Sequence, residues 1–301
     1  MSVNNTKPSR RQFLGTAGLV GAGAVLASCA PATAATPGKA NLDAAIANFA
    51  LNLEYLEAAF YLAAVGRLSE LPGGTAQIIL PAGMNGMTAA PFGAAVAAYA
   101  QEIAQDELNH VLFLRKVLGA NAVDRPVLDI GPAFAAAANA AAKNAGLATP
   151  LSPDFNPYLN DLFFLHGAFI FEDVGVTAYK GAARLITDDS AGGILESAAG
   201  ILAVEAYHAG EVRTQLYAQK DVMTPYGVTV AQLIGAISAL RAAVGGGKDE
   251  GIVVNGKANI VPTDANSVAY SRSTAEVLPI VYLGGAGKGG FFPNGLNGAI
   301  K

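Results

Sequence analysis

The chain has few of the residues that cross-link a small secreted domain or bind nucleic acid. It contains no tryptophan, one cysteine (Cys29) and three histidines among its 301 residues. A single cysteine excludes a disulfide framework, so packing must hold the fold. Only 14% of the residues are charged and the formal net charge is −4, which excludes a basic surface for nucleic acid. Since 52% of the residues are hydrophobic, the chain is not disordered and can bury a large core.

Residues 1–35 are predicted to be a twin-arginine signal peptide. Residues 9–14 read Ser-Arg-Arg-Gln-Phe-Leu, and the apolar run over 13–27 is too short for a good membrane-spanning helix. Residues 26–29 resemble a lipobox, which predicts export to the periplasm or cell envelope and membrane attachment through a lipidated Cys29. The alternative is cleavage after the Ala-Thr-Ala of residues 32–34, which would remove Cys29.

Two of the three histidines follow a glutamate by three positions. Glu107 precedes His110, and Glu205 precedes His208, each inside an apolar run with helical periodicity. Residues three apart lie on one face of a helix, so each pair can hold a metal ion. Two copies of such a pair are typical of four-helix di-metal carboxylate bundles, which need one further glutamate from each remaining helix.

An internal repeat supplies those two glutamates. Glu54 and Glu172 lie in segments that align without gaps, and each precedes a tyrosine, Tyr61 or Tyr179, by seven positions. The neighbouring Glu57 aligns with a glycine, which favours Glu54 as the ligand. The predicted metal ligands are therefore Glu54, Glu107, His110, Glu172, Glu205 and His208.

The remaining pattern predicts an all-α fold in which a long crossover separates two helix pairs. The predicted bundle helices cover residues 41–66, 91–118, 157–186 and 190–218, with Asn41 as a cap and Pro91 and Pro157 opening their helices. A loop is predicted over 67–90, a short extra helix over 132–145, a fifth helix over 228–244, a hairpin over 251–257 and an extended or short helical piece over 276–282. The predicted domains are a bundle over 36–244 and a glycine-rich extension over 245–301 that packs on it.

Several other polar residues are interpreted as structural. His166 is interpreted as a hydrogen-bonded histidine outside the site, and Tyr61 and Tyr179 as core aromatics rather than redox tyrosines. Arg115 and Arg213 are expected to pair with carboxylates around the ligands or on the surface. The candidates for that group are Glu57, Glu102, Asp106, Asp173 and Glu211.

Residues 51–61, 106–115, 171–179 and 201–208 together resemble the ferritin-like superfamily, and most closely the exported ferritin-like proteins related to desiccation-associated proteins. The resemblance covers about residues 40–244. It implies a ferritin-like four-helix bundle with one long crossover and a dinuclear site, here with a fifth helix and an irregular C-terminal extension.

The donor set suits two iron ions, or alternatively two manganese ions, and the four carboxylates balance two divalent charges. We therefore expect redox chemistry with O2 or peroxide, or ferrous iron oxidation, in stress protection. The alternatives are a non-catalytic desiccation or envelope scaffold with structural or no metal, and a manganese catalase-like disproportionation of peroxide. Metal ions, O2 and peroxide are the expected partners, and a homo-oligomer is also considered.

Overall fold

The computed structural model describes residues 41–301, so the predicted twin-arginine segment and Cys29 lie outside the described residues. Helices and short strands alternate with loops along this part of the chain. In order, the helices are α1 (Asp43–Ala64), α2 (Ala94–Leu118), α3 (Pro132–Asn144), α4 (Asp161–Ala183), α5 (Ile194–Ala218), α6 (Val230–Val244) and α7 (Thr274–Val281). The strands are β1 (Ile78–Ile79), β2 (Leu128–Asp129), β3 (Val253–Val254) and β4 (Lys257–Ala258).

Two antiparallel helix pairs form the bundle. Helix α1 packs along α2, α4 packs along α5, and α1 also contacts α4 across the centre. The long segment between α2 and α4 contains α3, which packs against α6. A short turn joins neighbours in such a bundle, whereas a crossover spans its length. The predicted all-α fold with one long crossover and a fifth helix is therefore confirmed.

All four predicted bundle helices start two to four residues before the observed ones. Helix α4 begins after Asn160, whose side chain accepts a hydrogen bond from the Phe163 N–H at 2.9 Å, and so Pro157 precedes the helix. Helix α2 begins after Gly93, whose N–H donates a hydrogen bond to Asp161 at 2.8 Å, and so Pro91 also precedes its helix. At α1 the cap residue is Leu42, although Asn41 does accept a hydrogen bond from the Asp43 N–H.

The predicted loop over 67–90 contains more structure than expected. A 3₁₀ turn covers Leu68–Glu70, and β1 pairs in parallel with β2 from the crossover. Strands of two residues show no alternating pattern that a sequence could reveal. The hairpin is found as expected, with Asn255 and Gly256 both at positive φ (51° and 74°) between β3 and β4.

Helices α1 and α4 are buried on nearly all sides and form the centre of the bundle. Helix α4 is long and apolar enough to cross a membrane by length and composition. However, 89% of its most apolar window is buried inside the structure, and the core helix of a soluble protein passes the same test.

Residues beyond α6 contact the bundle in two places. Phe291 packs edge-on against Phe171 of α4, with ring centroids 4.9 Å apart. Asn52 of α1 exchanges two hydrogen bonds with the backbone of Asn297, each 2.9 Å long. The last part of the chain thus covers the centre of α1 and α4, while the boundary at residue 245 stays a prediction.

A buried network of ion pairs fixes the same part of the chain. Asp173, next to Glu172 on α4, accepts hydrogen bonds from Arg213 and Arg241 at 2.8 Å each. Arg241 also binds Asp249, which in turn binds Arg272 at 2.8 Å. Because charges this deeply buried must be paired, the network holds α4, α5 and α6 to the loop beyond α6 in one arrangement.

Candidate metal centre

The six residues singled out in the sequence lie together in the middle of the bundle. Glu54 comes from α1, Glu107 and His110 from α2, Glu172 from α4, and Glu205 and His208 from α5. Their ligand atoms form two groups in which all atoms lie within 4.8 Å of one another. These groups are Glu54, Glu107, His110 and Glu205, and Glu107, Glu172 and His208.

Glu107 belongs to both groups. Its Oε2 lies 3.5 Å from His110 Nδ1, and its Oε1 lies 3.2 Å from His208 Nδ1. His110 Nδ1 is also 3.2 Å from Glu54 Oε2, and His208 Nδ1 is 3.6 Å from Glu172 Oε2. A carboxylate with one oxygen directed to each imidazole is placed to bridge two metal ions.

Many of these atoms have no hydrogen-bond partner within the described part of the chain. Both oxygens of Glu107 and of Glu205, one oxygen of Glu172 and Nδ1 of His208 are buried and unpartnered. Buried polar atoms in native proteins are nearly always satisfied, and an unpaired carboxylate is costly. Two divalent cations would satisfy all of these atoms at once, so the donor set fits a pair of metal ions.

Tyr61 and Tyr179 join the two halves of the site. The hydroxyl of Tyr61 on α1 donates a hydrogen bond to Glu172 on α4, and that of Tyr179 on α4 donates to Glu54 on α1. Both rings are buried, as expected of core aromatics, but interpreting them as core residues alone was incomplete. The shared seven-residue spacing, two helical turns, was the sequence signal for this contact.

Without a metal, the pKa values of Glu54, Glu172 and Glu205 are raised, whereas that of Glu107 is lowered. Burial, with the nearby Glu107 carboxylate, raises the pKa of Glu54 to about 7, and burial raises that of Glu172 to about 8. Burial also raises the pKa of Glu205 well above its usual range. Burial opposes ionisation of Glu107 too, but the two nearby imidazoles of His110 and His208 outweigh it and lower the pKa of Glu107 well below its usual range.

The two imidazoles are affected in the opposite direction. Burial alone would lower the pKa of each ring, but neighbouring carboxylates outweigh it. Glu54 and Glu107 raise the pKa of His110 to about 11, while Glu172 and Glu107 raise that of His208 to about 9. Both histidines are therefore protonated in the metal-free site and must lose a proton before they can bind a metal.

A cleft between α2 and α5 leads from solvent to His208. Its volume is about 430 Å³. Asp106 stands at its inner end, where its Oδ2 lies 3.2 Å from His208 Nε2. A carboxylate on the second ring nitrogen fixes the orientation of a metal-binding histidine. The residues that line the cleft are Tyr99, Glu102, Ile103, Asp106, Val204, Tyr207, His208 and Glu211.

The remaining residues singled out in the sequence lie away from this cluster or beside it. His166 is fully buried, pairs through Nδ1 with the Leu162 carbonyl at 2.7 Å and belongs to neither group. Arg213 pairs with Asp173, as expected. The expectation for Arg115 is wrong, because it donates to the Tyr55 hydroxyl at 2.6 Å.

A four-helix bundle with two Glu-x-x-His helices is typical of ferritin-like proteins. The chain belongs to the ferritin-like domain family, whose model matches residues 42–218. It is 32% identical over 294 residues to a protein named ferritin-like catalase Nec2 from Nesocodon mauritianus, which covers 91% of this chain and 89% of that protein. It is also 32% identical over 254 residues to the desiccation-related protein PCC13-62 of Craterostigma plantagineum, covering 78% and 76%. No solved structure matches the chain significantly.

Proposed function

We propose that this protein is a dinuclear metalloenzyme that disproportionates hydrogen peroxide into dioxygen and water. The observation that carries the proposal is the Glu107 carboxylate, which is shared between two groups of buried, unpartnered ligand atoms. The relative named a ferritin-like catalase, which aligns over most of both chains, supports peroxide as the substrate.

Iron and manganese both suit oxygen and imidazole ligands, and we propose iron with manganese as the alternative. A pair of such ions, when bound, would accept the two electrons that one peroxide loses as it becomes dioxygen and would pass them to a second peroxide, which becomes water. The reaction then converts two molecules of hydrogen peroxide into one of dioxygen and two of water.

The chain's own residues bind and orient the reacting partners. The Tyr61 hydroxyl occupies one oxygen of Glu172 and the Tyr179 hydroxyl occupies one of Glu54, which leaves the other oxygen of each for a metal. Asp106 holds the ring of His208 from the cleft side. The cleft is wide enough for peroxide, while the packed aromatics around α1 and α4 exclude bulk water from the opposite side.

The proposal places the protein in the periplasm or cell envelope. Its support is the twin-arginine pattern in residues 9–14 and the lipobox that ends at Cys29. A twin-arginine route carries folded proteins, so the metals would be loaded before export. The anchor is tested by comparing how much of the parent and of Cys29→Ser is found in the membrane fraction and in the soluble fraction.

The test combines elemental analysis with oxygen evolution. Protein from its native source should contain about two iron or manganese ions per chain, and added peroxide should release half an equivalent of dioxygen. Glu172→Ala should abolish both paired-metal binding and oxygen release, whereas His166→Ala, a buried histidine outside the cluster, should retain both. If both variants still bound two metal ions, the assignment of the site would be wrong.

A structural role is the second candidate, because the other aligned relative carries the name of a desiccation-related protein. Under that role the bundle would hold two metals, or none, without turnover. Anaerobic ferrous loading followed by O2 separates the two candidates. Ferric absorbance after O2, together with consumption of added hydrogen peroxide, supports the enzyme. Stoichiometric metal binding with neither iron oxidation nor peroxide consumption supports the scaffold.

A further inference from the structure

Glu57 is a buried carboxylate that the six-residue site does not use. It lies on α1 one turn after Glu54, so both side chains project from the same face of the helix. Its exposed fraction is 6%, and no residue between 41 and 301 donates a hydrogen bond to it or forms an ion pair with it. A buried carboxylate without a partner needs a physical explanation.

Gly175 of α4 faces both Glu57 and the neighbouring Glu205. A Cβ atom at Gly175 would overlap Glu205 Oε2 and would lie 3.4 Å from Glu57 Oε1. Glycine in the middle of a helix is less favourable than alanine, so its presence here has a packing reason. Gly175 makes room for two carboxylates, which approach the same point from α1 and α5.

The other side of Glu57 offers no polar partner. A small cavity of about 10 Å³ separates it from apolar side chains of α1, α4 and α7 and from Phe291. Such a cavity holds one water at most, and a water there would find few polar groups to bind. Both oxygens of the neighbouring Glu205 are also unpartnered. Among the described residues, the charged groups that act on Glu57 are the carboxylates of Glu54, Glu107 and Glu172 and the imidazole of His110, all in the metal cluster.

We propose that Glu57 is a seventh ligand of the metal site and binds, together with Glu205, the ion surrounded by Glu54, Glu107 and His110. This inference rests on the proposed metal pair and adds to it. The two metal positions then differ, because the aligned position in the second half of the chain is Gly175, which has no side chain. One position has five protein ligands, and the other has Glu107, Glu172 and His208 only.

The asymmetry determines where a substrate binds. A metal position with three protein ligands keeps coordination sites open, whereas one with five is close to saturation. His208 of the less occupied position lines the cleft from solvent, while Glu57 faces the cavity closed by α7 and Phe291. Peroxide therefore reaches the His208 position through the cleft, and the Glu57 position serves as the saturated partner.

The test compares Glu57→Gln with the unaltered protein in binding of Co²⁺, followed by calorimetry and visible absorption. The unaltered protein should bind two ions. Glu57→Gln should weaken one of the two by at least about tenfold and leave the other unchanged. It should also change the absorption of the weakened ion, because the spectrum follows coordination geometry. Glutamine has nearly the same shape and carries no charge, so the metal-free variant should fold as the parent does, as circular dichroism will show.

Two further variants make the result specific. Glu102→Gln removes a carboxylate that lines the cleft outside the ligand set, and it should leave both affinities and the spectrum unchanged. Gly175→Ala places a methyl group against Glu205 and should weaken the same ion as Glu57→Gln. If Glu57→Gln binds both ions with parental affinity and spectrum, the seventh ligand is disproved while the metal pair stands. If the unaltered protein binds no pair, the proposed function fails instead.

Discussion

Tyr61, in the first helix pair, donates its hydroxyl hydrogen bond to Glu172 in the second. The reverse contact joins Tyr179 to Glu54. Each half of the bundle therefore orients a carboxylate of the other half, in addition to the contact between Glu54 and His110 within the first half. The two contacts make the geometry of the site depend on how the halves dock.

Tyr61→Phe removes the hydroxyl and leaves one oxygen of Glu172 without its donor. Because partners that hold a metal ligand in place contribute strongly to binding, we expect metal affinity to fall by about tenfold or more. Titration with Mn²⁺ or Co²⁺ measures the change. Tyr158→Phe is the matched control, since the Tyr158 hydroxyl is buried and has no hydrogen-bond partner among residues 41–301, so its loss should not weaken binding.

Metal binding should become stronger as the pH rises from about 6 to 9. In the metal-free site Glu54 and Glu172 have pKa values of about 7 and 8, and His208 has a pKa of about 9. These groups hold protons at lower pH, and each must lose its proton before it binds a cation, so acid competes with the metal. Calorimetry in buffers of different ionisation enthalpy counts the protons released. Binding that releases no protons at pH 7 would contradict the expectation.

The Glu-x-x-His pairs and the repeat were sufficient to predict the six clustered residues, because helical spacing alone places them on inward faces. The hydrogen bonds between the two halves, from Tyr61 to Glu172 and from Tyr179 to Glu54, could not be predicted from the sequence. Tyr61 and Tyr179 have the spacing of core residues, and only the docked bundle shows which carboxylate each hydroxyl reaches. The alignment of Glu57 with Gly175 favours Glu54 as the ligand, whereas in the structure that glycine clears space for Glu205 and lies against Glu57.

The sequence signals for helix starts and for the partner of Arg115 were also misleading. Pro91 and Pro157 suit a first helical turn, but the helices begin after Gly93 and after Asn160, and only Asn160 caps its helix with its side chain. Arg115 could not be assigned to Tyr55 from spacing, since the contact joins two different helices.

Arg213→Met should destabilise the protein by about 3–5 kcal/mol. Arg213 is fully buried, pairs with Asp173, and donates to three backbone carbonyls of the loop beyond α6, so its removal leaves a buried carboxylate and several acceptors unsatisfied. Urea denaturation measures the loss. Lys220→Met provides the control, because its pair with Asp221 is exposed and should contribute little. Equal effects of the two substitutions would contradict a structural role for the buried network.

His166 should make the metal-free protein sensitive to acid. Burial lowers its pKa from 6.5 to about 4, so below pH 6.5 the unfolded chain binds a proton that the folded chain does not. Stability from this residue is complete above pH 6.5 and declines by about 3 kcal/mol as the pH falls to 4. The stability difference between the parent and His166→Phe should therefore shrink over that range in denaturation experiments. A difference that stays constant with pH would show that His166 is not buried in its neutral form.

The reciprocal hydrogen bonds between Asn52 and Asn297 have a consequence for biosynthesis. Asn52 lies on the first helix, half a turn from Glu54, whereas Asn297 follows every helix of the bundle along the chain. The ribosome delivers Asn297 after all of those helices. These two hydrogen bonds to the helix that carries the first ligand can therefore form only after every described helix has been synthesised.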